Sequence, residues 1–224
     1  MTQLVEQTGR RLGHAEDAIG GVGTIVTVGH GTLGAQAFLD LVRKVGVDAI
    51  VDVRSFPGSR RHPHFARPEM ERWLPEGGVG YRWERALGGF RKPTPDSSNL
   101  ALRHPGFRGY ADYMSHHEFG AGIGHVVEQS RQRPEGSLAI MCSESVWWRC
   151  HRRLIADHLV LVEGMHVRHL MHDGRLNPHV PTEEARVDAV GHLVYDVGQP
   201  VPLQLDAEES SALRASRDEP SASE

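Results

Sequence analysis

Short apolar runs alternate with amphipathic stretches along the chain. Residues 23–29 (GTIVTVG) form a β-branched run between glycines, which predicts a buried strand. Apolar residues between 38 and 45 then follow the spacing of a helix, which Gly46 is placed to end, and residues 49–53 (AIVDV) predict a second buried strand. A strand, a helix and a strand in this order indicate a βαβ unit, which we expect to be parallel and right-handed.

The alternation of strands and helices is less regular between residues 55 and 110 and returns after them. Further strands are predicted at 79–83, 138–141 and 165–171, and further helices at 68–74, 110–118, 123–132, 146–160 and 182–190. These elements predict one α/β domain with an open, mostly parallel sheet and helices on both faces. We assign it to residues 23–198, between a polar arm (1–22) and an acidic, serine-rich tail (199–224) that we expect to be disordered.

Composition argues against a membrane protein, a secreted protein and a disulfide-rich protein. The 224 residues carry 25 Lys and Arg against 29 Asp and Glu, a net charge of −4, and 39% of them are hydrophobic. No run approaches the ~18 apolar residues that cross a bilayer, and the first residues lack the apolar core of a signal peptide. Two cysteines exclude a disulfide scaffold. We therefore expect a cytoplasmic protein with no membrane partner.

Polar residues lie at the ends of three predicted strands. His30 follows the first strand, Asp52 and Arg54 lie at the end of the second, and Cys142 with Glu144 follows a later one. In an open parallel α/β sheet, ligands bind beyond the carboxyl ends of the strands. We therefore expect these side chains to share one crevice. We expect Asp52 and Arg54 not to pair with each other, because both side chains would first have to leave the strand.

Cys142 is the most informative of these residues. It stands between a predicted strand and a predicted helix, and the partial positive charge at a helix N-terminus favours thiolate over thiol. We interpret Cys142 as a nucleophile or a positioned thiol, with Glu144 or His30 transferring protons. Cys150 is expected to face the sheet beside Leu154, and a role as resolving thiol is the alternative.

The residues after Cys142 disfavour two classes of thiol enzyme. A cysteine phosphatase needs Cys-x5-Arg, but the sixth residue after Cys142 is Trp148. Sulfurtransferase loops wrap an anion with successive backbone N–H groups, an arrangement that glycine makes easier. Residues 142–149 (CSESVWWR) contain no glycine. The sequence therefore indicates a site without indicating its reaction.

Basic and aromatic residues are concentrated between residues 54 and 108. Eleven Lys and Arg stand against five Asp and Glu there, and seven aromatic residues are interleaved with them. One hypothesis is a basic mouth for an anionic, nucleotide-like small molecule, in which Arg54 and Arg60 or Arg61 position negative groups. The alternative is a nucleic-acid-binding or processing module, because basic groups attract phosphates and aromatic faces stack on bases.

Metal binding is a further alternative. Cys142, Cys150, His151 and His30 are of the residue types that bind zinc or iron. The two cysteines are eight positions apart, however, whereas zinc sites commonly use a C-x2–4-C spacing, and the chain has no second pair. The sequence requires no cofactor.

Four segments carry a recognisable pattern: TVGHGT (27–32), DVRSFPGSRRHPHF (52–65), the stretch from YRW to LGG (81–89) and MCSESVWWRCHRRLIADHL (141–159). Together they resemble the domain of unknown function family numbered 488, over roughly residues 24–190. The most specific part is Cys-x-Glu-x5-Cys-His-Arg after a strand. One departure is Val146-Trp147-Trp148, a stretch in which the family often has a proline.

The resemblance implies a single α/β domain and points to residues rather than to a reaction. The residues that match are His30, Asp52, Arg54, Cys142, Glu144, Cys150, His151 and Arg152. Combining both lines of reasoning, we assign catalysis to Cys142, Glu144 and His30. We assign ligand binding to Asp52, Arg54, Arg60, Arg61, His151 and Arg152.

Overall fold

The computed structural model describes residues 23–134 and 137–197. The predicted arm (1–22) and tail (199–224) lie outside the described residues. Within the described part, the chain forms a six-stranded mixed sheet, a two-stranded hairpin and five α-helices. The predicted α/β class is therefore confirmed.

The sheet is built around parallel strands. In chain order they are β1 (Thr24–Gly29), β2 (Ala49–Asp52), β3 (Gly80–Trp83), β4 (Leu138–Cys142), β5 (His166–Leu170) and β6 (Leu176–Pro178). In space the order is β3-β2-β4-β1-β5-β6, with β1 to β5 parallel and β6 antiparallel to β5. Because β1, β2 and β4 are central and covered on both faces, nearly all of their residues are buried, which explains their continuous apolar runs.

Helices pack on both faces of the sheet, as predicted. They are α1 (Ala35–Lys44), α2 (Arg67–Glu76), α3 (Pro105–Tyr113), α4 (His117–Arg131) and α5 (Arg152–Leu161). Helices α1 and α2 bury Phe38 and Met70 in one apolar cluster, and α3, α4 and α5 contribute to a second cluster on the opposite face. Among the described helices, none is long and apolar enough to cross a membrane.

The first βαβ unit follows the sequence pattern closely. Phe38, Leu41 and Val42 of α1 are buried at the predicted helical spacing. The helix ends at Lys44 with Val45 as its C-cap, and Gly46 follows with φ of 81°, a left-handed conformation that glycine adopts at little cost. The strand β2 then starts within four residues, and its parallel alignment is set by β4, which lies between β1 and β2.

The helix predicted over 146–160 begins later than expected. Trp147–Arg149 form a single 3-10 turn, and α5 starts only at Arg152. The backbone is extended at Cys150 (φ −120°, ψ 149°), which separates this turn from α5, and the Trp147 ring lies flat on the His169 ring with centroids 3.9 Å apart. Tertiary packing therefore overrides helix propensity at this point.

The helix predicted over 182–190 is wrong. Residues Ala185–Val187 (β7) pair antiparallel with Leu193–Tyr195 (β8). The connecting turn is fixed by the Asp188 carboxylate, which accepts hydrogen bonds from the backbone N–H groups of Val190 and His192. Gly191 supplies a φ of 89° in the same turn, and these two residue types are common turn formers.

A buried polar network ties this hairpin to α5. The Asp157 carboxyl accepts hydrogen bonds from Thr182, from the Tyr195 hydroxyl (2.9 Å) and from His179 Nε2 (2.9 Å). With Asp157 as the last acceptor, His169 Nε2 donates to His179 Nδ1 (2.9 Å), and the Thr27 hydroxyl donates to His169 Nδ1 (2.7 Å). The chain of donors thus links β1, β5, α5 and the hairpin through the core.

Replacing Tyr195 with phenylalanine tests the contribution of this network to stability. Because the buried Asp157 carboxyl loses a donor, we expect Tyr195→Phe to lower the free energy of unfolding by about 1.5–3 kcal/mol. The matched control is Arg186→Ala on the same hairpin, which breaks a largely exposed pair with Asp196 and should cost less than about 1 kcal/mol. Urea unfolding measures both, and equal losses would contradict the assignment.

Candidate functional site

Three strands end at the same level and bring the predicted residues together. Gly29 at the end of β1 pairs with Cys142 at the end of β4, and Asp52 of β2 pairs with Met141. The His30 N–H donates to the Cys142 carbonyl at 3.0 Å, so the chain segments that leave β1 and β4 run side by side. A cavity of about 850 Å³ opens at this edge of the sheet, and its walls include His30, Arg54 and Cys142.

Most of the cavity wall comes from the basic, aromatic segment. Its lining residues from that segment include Arg54, Phe56, Arg61, His62, Phe90, Arg91, His104 and Phe107. The loop after β4 adds Glu144, Trp148 and Arg149. Among the lining residues of the described chain, Glu144 is the one carboxylate against four arginines. The cavity is therefore basic and partly aromatic.

Asp52 and Arg54 form a buried ion pair, so the expectation that they do not pair is wrong. Arg54 Nε donates to Asp52 Oδ1 (2.9 Å), and Nη2 donates to Oδ2 (2.6 Å). The pair forms because the backbone turns directly after the strand, and the Arg54 N–H also donates to Asp52 Oδ1 at 3.0 Å. Tyr81 donates to the same carboxylate. Asp52 is fully buried behind Arg54 and does not line the cavity.

His30 is held in a neutral form. Its ring stacks on Phe65 with centroids 4.0 Å apart, and Nδ1 donates to the Gly31 carbonyl at 3.0 Å. Burial, reinforced by the charge of Arg54, lowers the pKa of His30 to about 3. Nε2 therefore carries no proton at neutral pH and lies 3.4 Å from Arg54 Nη1. A pKa this low makes His30 a weak proton acceptor at neutral pH as well as a poor donor, so this environment does not favour the predicted proton-transfer role of His30.

Cys142, Cys150 and His151 form a cluster at the floor of the cavity, here called the thiol cluster. The sulfurs of Cys142 and Cys150 lie 4.0 Å and 3.7 Å from His151 Nδ1, and the three side-chain atoms are all within 4.8 Å of one another. His151 Nε2 donates to the Val53 carbonyl at 3.0 Å, which selects the tautomer of the neutral ring in which the Nδ1 lone pair faces both sulfurs. Cys150 is buried as expected, but it lies beside Cys142 on the cavity wall.

The two thiols differ in acidity. A hydrogen bond with Cys150, together with burial, raises the pKa of Cys142 to about 12. The same hydrogen bond, received from Cys142, lowers the pKa of Cys150 to about 6 against the opposing effect of burial, and Arg152 lowers it further. The thiolate that the sequence placed on Cys142 is therefore favoured on Cys150.

Arg152 lies beneath the thiol cluster rather than on the cavity wall. It is almost fully buried, and its Nε donates to the Cys150 sulfur at 3.4 Å. Its Nη2 donates to the Glu144 carbonyl, which ties the loop after β4 to the start of α5. Within the described chain Arg152 forms no ion pair with a carboxylate, so the Cys150 sulfur is its closest candidate for a negative partner. Its predicted role in ligand binding is therefore better described as positioning.

The remaining predicted residues divide between the wall and the surface. Arg61 is exposed and lines the cavity, whereas its neighbour Arg60 is exposed but does not. Glu144 lines the cavity with an exposed side chain, and its Oε1 accepts a hydrogen bond from the Val146 N–H at 3.2 Å. The structure thus brings together seven of the predicted residues around one cavity: His30, Arg54, Arg61, Cys142, Glu144, Cys150 and His151.

A comparison with protein families matches this part of the chain. The model of the family described as Domain of unknown function DUF488 matches residues 34–159, which is more than half of the chain. The chain belongs to the DUF488 family. Searches of curated proteins and of solved structures gave no match.

The DUF488 match covers the ion pair Asp52–Arg54 and the whole thiol cluster. It begins after His30, so the assignment of that histidine depends on the motif TVGHGT and on its position at the cavity wall. The family description states no reaction. The function of this DUF488 chain therefore has to be argued from the geometry of the cavity.

Sequence reasoning counted Phe56 and Phe90 among the aromatics of the basic segment but did not assign them to the site of this DUF488 domain. Phe56 and Phe90 are 78% and 89% exposed at the wall, with ring centroids 6.4 Å apart. Phe90 also has φ of 56°, which is uncommon for a residue other than glycine. The available signal in the sequence was Gly88-Gly89 before Phe90, because paired glycines mark a loop. In the structure, a Cβ atom on Gly89 would lie 3.1 Å from His151 Nδ1.

Gly29 tests how tightly the strand ends are packed. A Cβ atom there would overlap the Glu144 carbonyl oxygen and come within 2.8 Å of Arg152 Nη2. We expect Gly29→Ala to lower the free energy of unfolding by about 1–3 kcal/mol, as overpacking does. The matched control is Gly124→Ala in α4, where the added methyl meets nothing within 4 Å and should stabilise the helix by about 0.5–1 kcal/mol. Thermal or urea unfolding measures both, and a neutral Gly29→Ala would contradict this packing.

The neutral state of His30 makes stability depend on pH. Its folded pKa of about 3 lies below the ordinary value of 6.5, so below pH 6.5 the unfolded chain binds a proton that the folded chain does not. The free energy that the neutral His30 ring contributes to folding is fully present above pH 6.5 and is lost as the pH falls toward 3. Between pH 6 and 5 the unfolding free energy of His30→Gln should therefore fall less steeply than that of the wild type, by up to about 1.4 kcal/mol per pH unit. Parallel slopes would show that His30 is not held neutral.

Proposed function

We propose that this DUF488 protein is an enzyme that binds an anionic, nucleotide-like small molecule in the cavity, with the thiol cluster supplying the reactive groups. The observation that carries the proposal is the placement of the thiol cluster on the floor of a basic, aromatic cavity at the strand ends. A cavity of about 850 Å³ is large enough for a ligand of nucleotide size, since ligand sites commonly span ~300–1,000 Å³.

The charge of the wall supports an anionic ligand. Arg54 is already neutralised by Asp52, so the positive charge available to a ligand comes from Arg61, Arg91 and Arg149. The guanidinium group binds phosphate and carboxylate oxygens in a two-pronged geometry. Against these three arginines stands one wall carboxylate, Glu144, so the wall has a net positive charge that favours an anion.

Two exposed aromatic rings support a planar group on that ligand. Phe56 and Phe90 lie side by side on the wall, although large apolar side chains are seldom left so exposed without a partner. Base rings stack readily on aromatic side chains, independently of base identity. An anionic tail on the arginines and a planar ring at the phenylalanines together describe a nucleotide-like molecule.

The arrangement favours a small ligand over the nucleic-acid-binding alternative. Arg67, Arg72 and Arg82 of the basic segment form ion pairs with glutamates, which reduces the charge they offer to a phosphate backbone. Two arginines of the segment, Arg61 and Arg91, form no ion pair within the described chain, and both line the concave cavity. An extended duplex needs an open basic face instead.

The chemistry of the cavity falls to the thiol cluster and Glu144. Glu144 takes the proton-transfer role because its carboxylate is exposed at the cavity, whereas the pKa of His30, lowered to about 3, leaves that imidazole weakly basic. Both cysteines are free, and such neighbouring thiols favour a reducing compartment. We therefore propose the cytoplasm as the location of the protein.

A paired substitution at Arg60 and Arg61 tests the proposal. We expect ADP, ATP or pyrophosphate to bind the wild type in low-salt calorimetry, with affinity that falls as salt rises. Arg61→Ala should weaken binding about tenfold, because a charged hydrogen bond worth about 1.5 kcal/mol or more is lost. Arg60→Ala removes a neighbouring charge that does not line the cavity, so it should change the affinity less than about twofold.

Two results would overturn the small-ligand proposal. One is the absence of binding by any of these probes at low salt. The other is tight, strongly salt-dependent binding of DNA or RNA that Arg60→Ala and Arg61→Ala weaken equally, which would indicate the nucleic-acid module instead. Equal effects on nucleotide binding would show that the charge acts at long range and not at the cavity wall.

A further inference from the structure

The thiol cluster has nearly the dimensions of a metal site. In a tetrahedral zinc site, bonds of about 2.3 Å to sulfur and 2.0–2.1 Å to nitrogen place sulfur and nitrogen ligands about 3.6 Å apart and two sulfurs about 3.8 Å apart. His151 Nδ1 lies 3.7 Å from one sulfur and 4.0 Å from the other, and the sulfurs are at most 4.8 Å apart. Shifts of a few tenths of an ångström at the nitrogen and at most about 1 Å between the sulfurs would therefore close the site around one ion.

The histidine is held in the orientation that a metal requires. His151 Nε2 donates to the Val53 carbonyl, which fixes the tautomer in which Nδ1 keeps a free lone pair. Ligating histidines commonly use their second nitrogen in this way, because the hydrogen bond sets the ring plane and raises the basicity of the ligand. At Gly89 the missing side chain leaves space beside Nδ1, since a Cβ atom would lie 3.1 Å away.

The charges around the sulfurs also suit bound thiolates. Arg152 donates to the Cys150 sulfur from beneath the cluster, and hydrogen bonds of this kind to ligating sulfur stabilise its negative charge. Two thiolates and a divalent cation together carry no net charge, so the two sulfur ligands offset the charge of such an ion. Soft sulfur donors with one imidazole favour zinc over calcium or magnesium.

We propose that Cys142, Cys150 and His151 bind one zinc ion, with its fourth position open to the cavity. Within the described residues no fourth cysteine, histidine or carboxylate joins the group, and three protein ligands with an open position are typical of catalytic rather than structural zinc. In the sequence, the separation of eight positions between Cys142 and Cys150 argues against a metal site. In the structure, the loop after β4 folds back on itself and brings the two sulfurs to within 4.8 Å of each other. This inference rests on the proposed function in one respect: the ligand that the cavity binds is taken to contact the ion.

Metal analysis of the untagged, full-length protein from zinc-supplemented cells tests the proposal. We expect about one zinc per chain in the wild type. Cys150→Ser and His151→Ala should lower that content about tenfold or more, because two donors do not hold the ion. The control is His62→Ala, which removes another cavity histidine outside the cluster and should keep its zinc.

A second measurement on the wild type alone guards against variants that fail to fold. The chain has two cysteines, both in the cluster, so thiol reagents report on this site without background. We expect both thiols to resist alkylation in the metal-bound protein and to react after chelation. Cobalt added to the chelated protein should produce thiolate-to-cobalt charge-transfer absorption. A wild type without zinc, with no such absorption and with thiols equally reactive before and after chelation, overturns the proposal.

The same samples separate this inference from the proposed function. ADP binding is measured on the zinc-loaded and on the chelated protein. Binding of ADP by a chain that takes up neither zinc nor cobalt overturns the metal site and leaves the small-ligand cavity in place. Stoichiometric zinc in a chain that binds none of the nucleotide probes supports the metal site and overturns the nucleotide-like ligand.

Discussion

The buried guanidinium of Arg152 is the contact on which the candidate site depends. It joins the Glu144 carbonyl to the Cys150 sulfur and so closes the loop between β4 and α5 on itself. A buried charge is stable only when its surroundings compensate it, and here the described chain offers sulfur and carbonyl oxygen rather than a carboxylate. The same contact that fixes the loop therefore also favours a negative sulfur at the floor of the cavity.

Around this loop, the basic segment has a structural role as well as a chemical one. The Trp83 indole donates to the Arg54 carbonyl, and the Ser55 hydroxyl donates to the Gly89 carbonyl. These bonds hold the segment after β2 against the segment after β3, so that both form one wall. The cavity is thus made mainly by connections beyond the strand ends, while the strands themselves set where those connections begin.

The sequence allowed the sheet and the edge that carries the site to be predicted, because buried β-branched runs such as 23–29 and 49–53 have few alternatives to a central strand. It did not allow the pairing of Asp52 with Arg54, which depends on a turn directly after β2. The late start of α5 and the hairpin at 185–195 were missed for a related reason. Trp147 and Thr182 are fixed by partners on distant elements, His169 and Asp157, which local periodicity does not report. The position of Cys150 at the cavity was missed as well, because it depends on how the loop between β4 and α5 folds.

The row of donors from Thr27 to Asp157 runs in one direction only. Reversing a single imidazole would set two hydrogens or two lone pairs against each other, so the row can change only as a unit. Trp147 packs on the His169 ring of that row and follows the last residue of β4, Cys142, by five positions. The loop after β4 is consequently held in place by the packing of Trp147 on this row of hydrogen bonds. Because Tyr195 of the hairpin donates to Asp157 at the end of the row, destabilising the hairpin should also loosen the cavity floor, although no side chain of β7 or β8 lines the cavity.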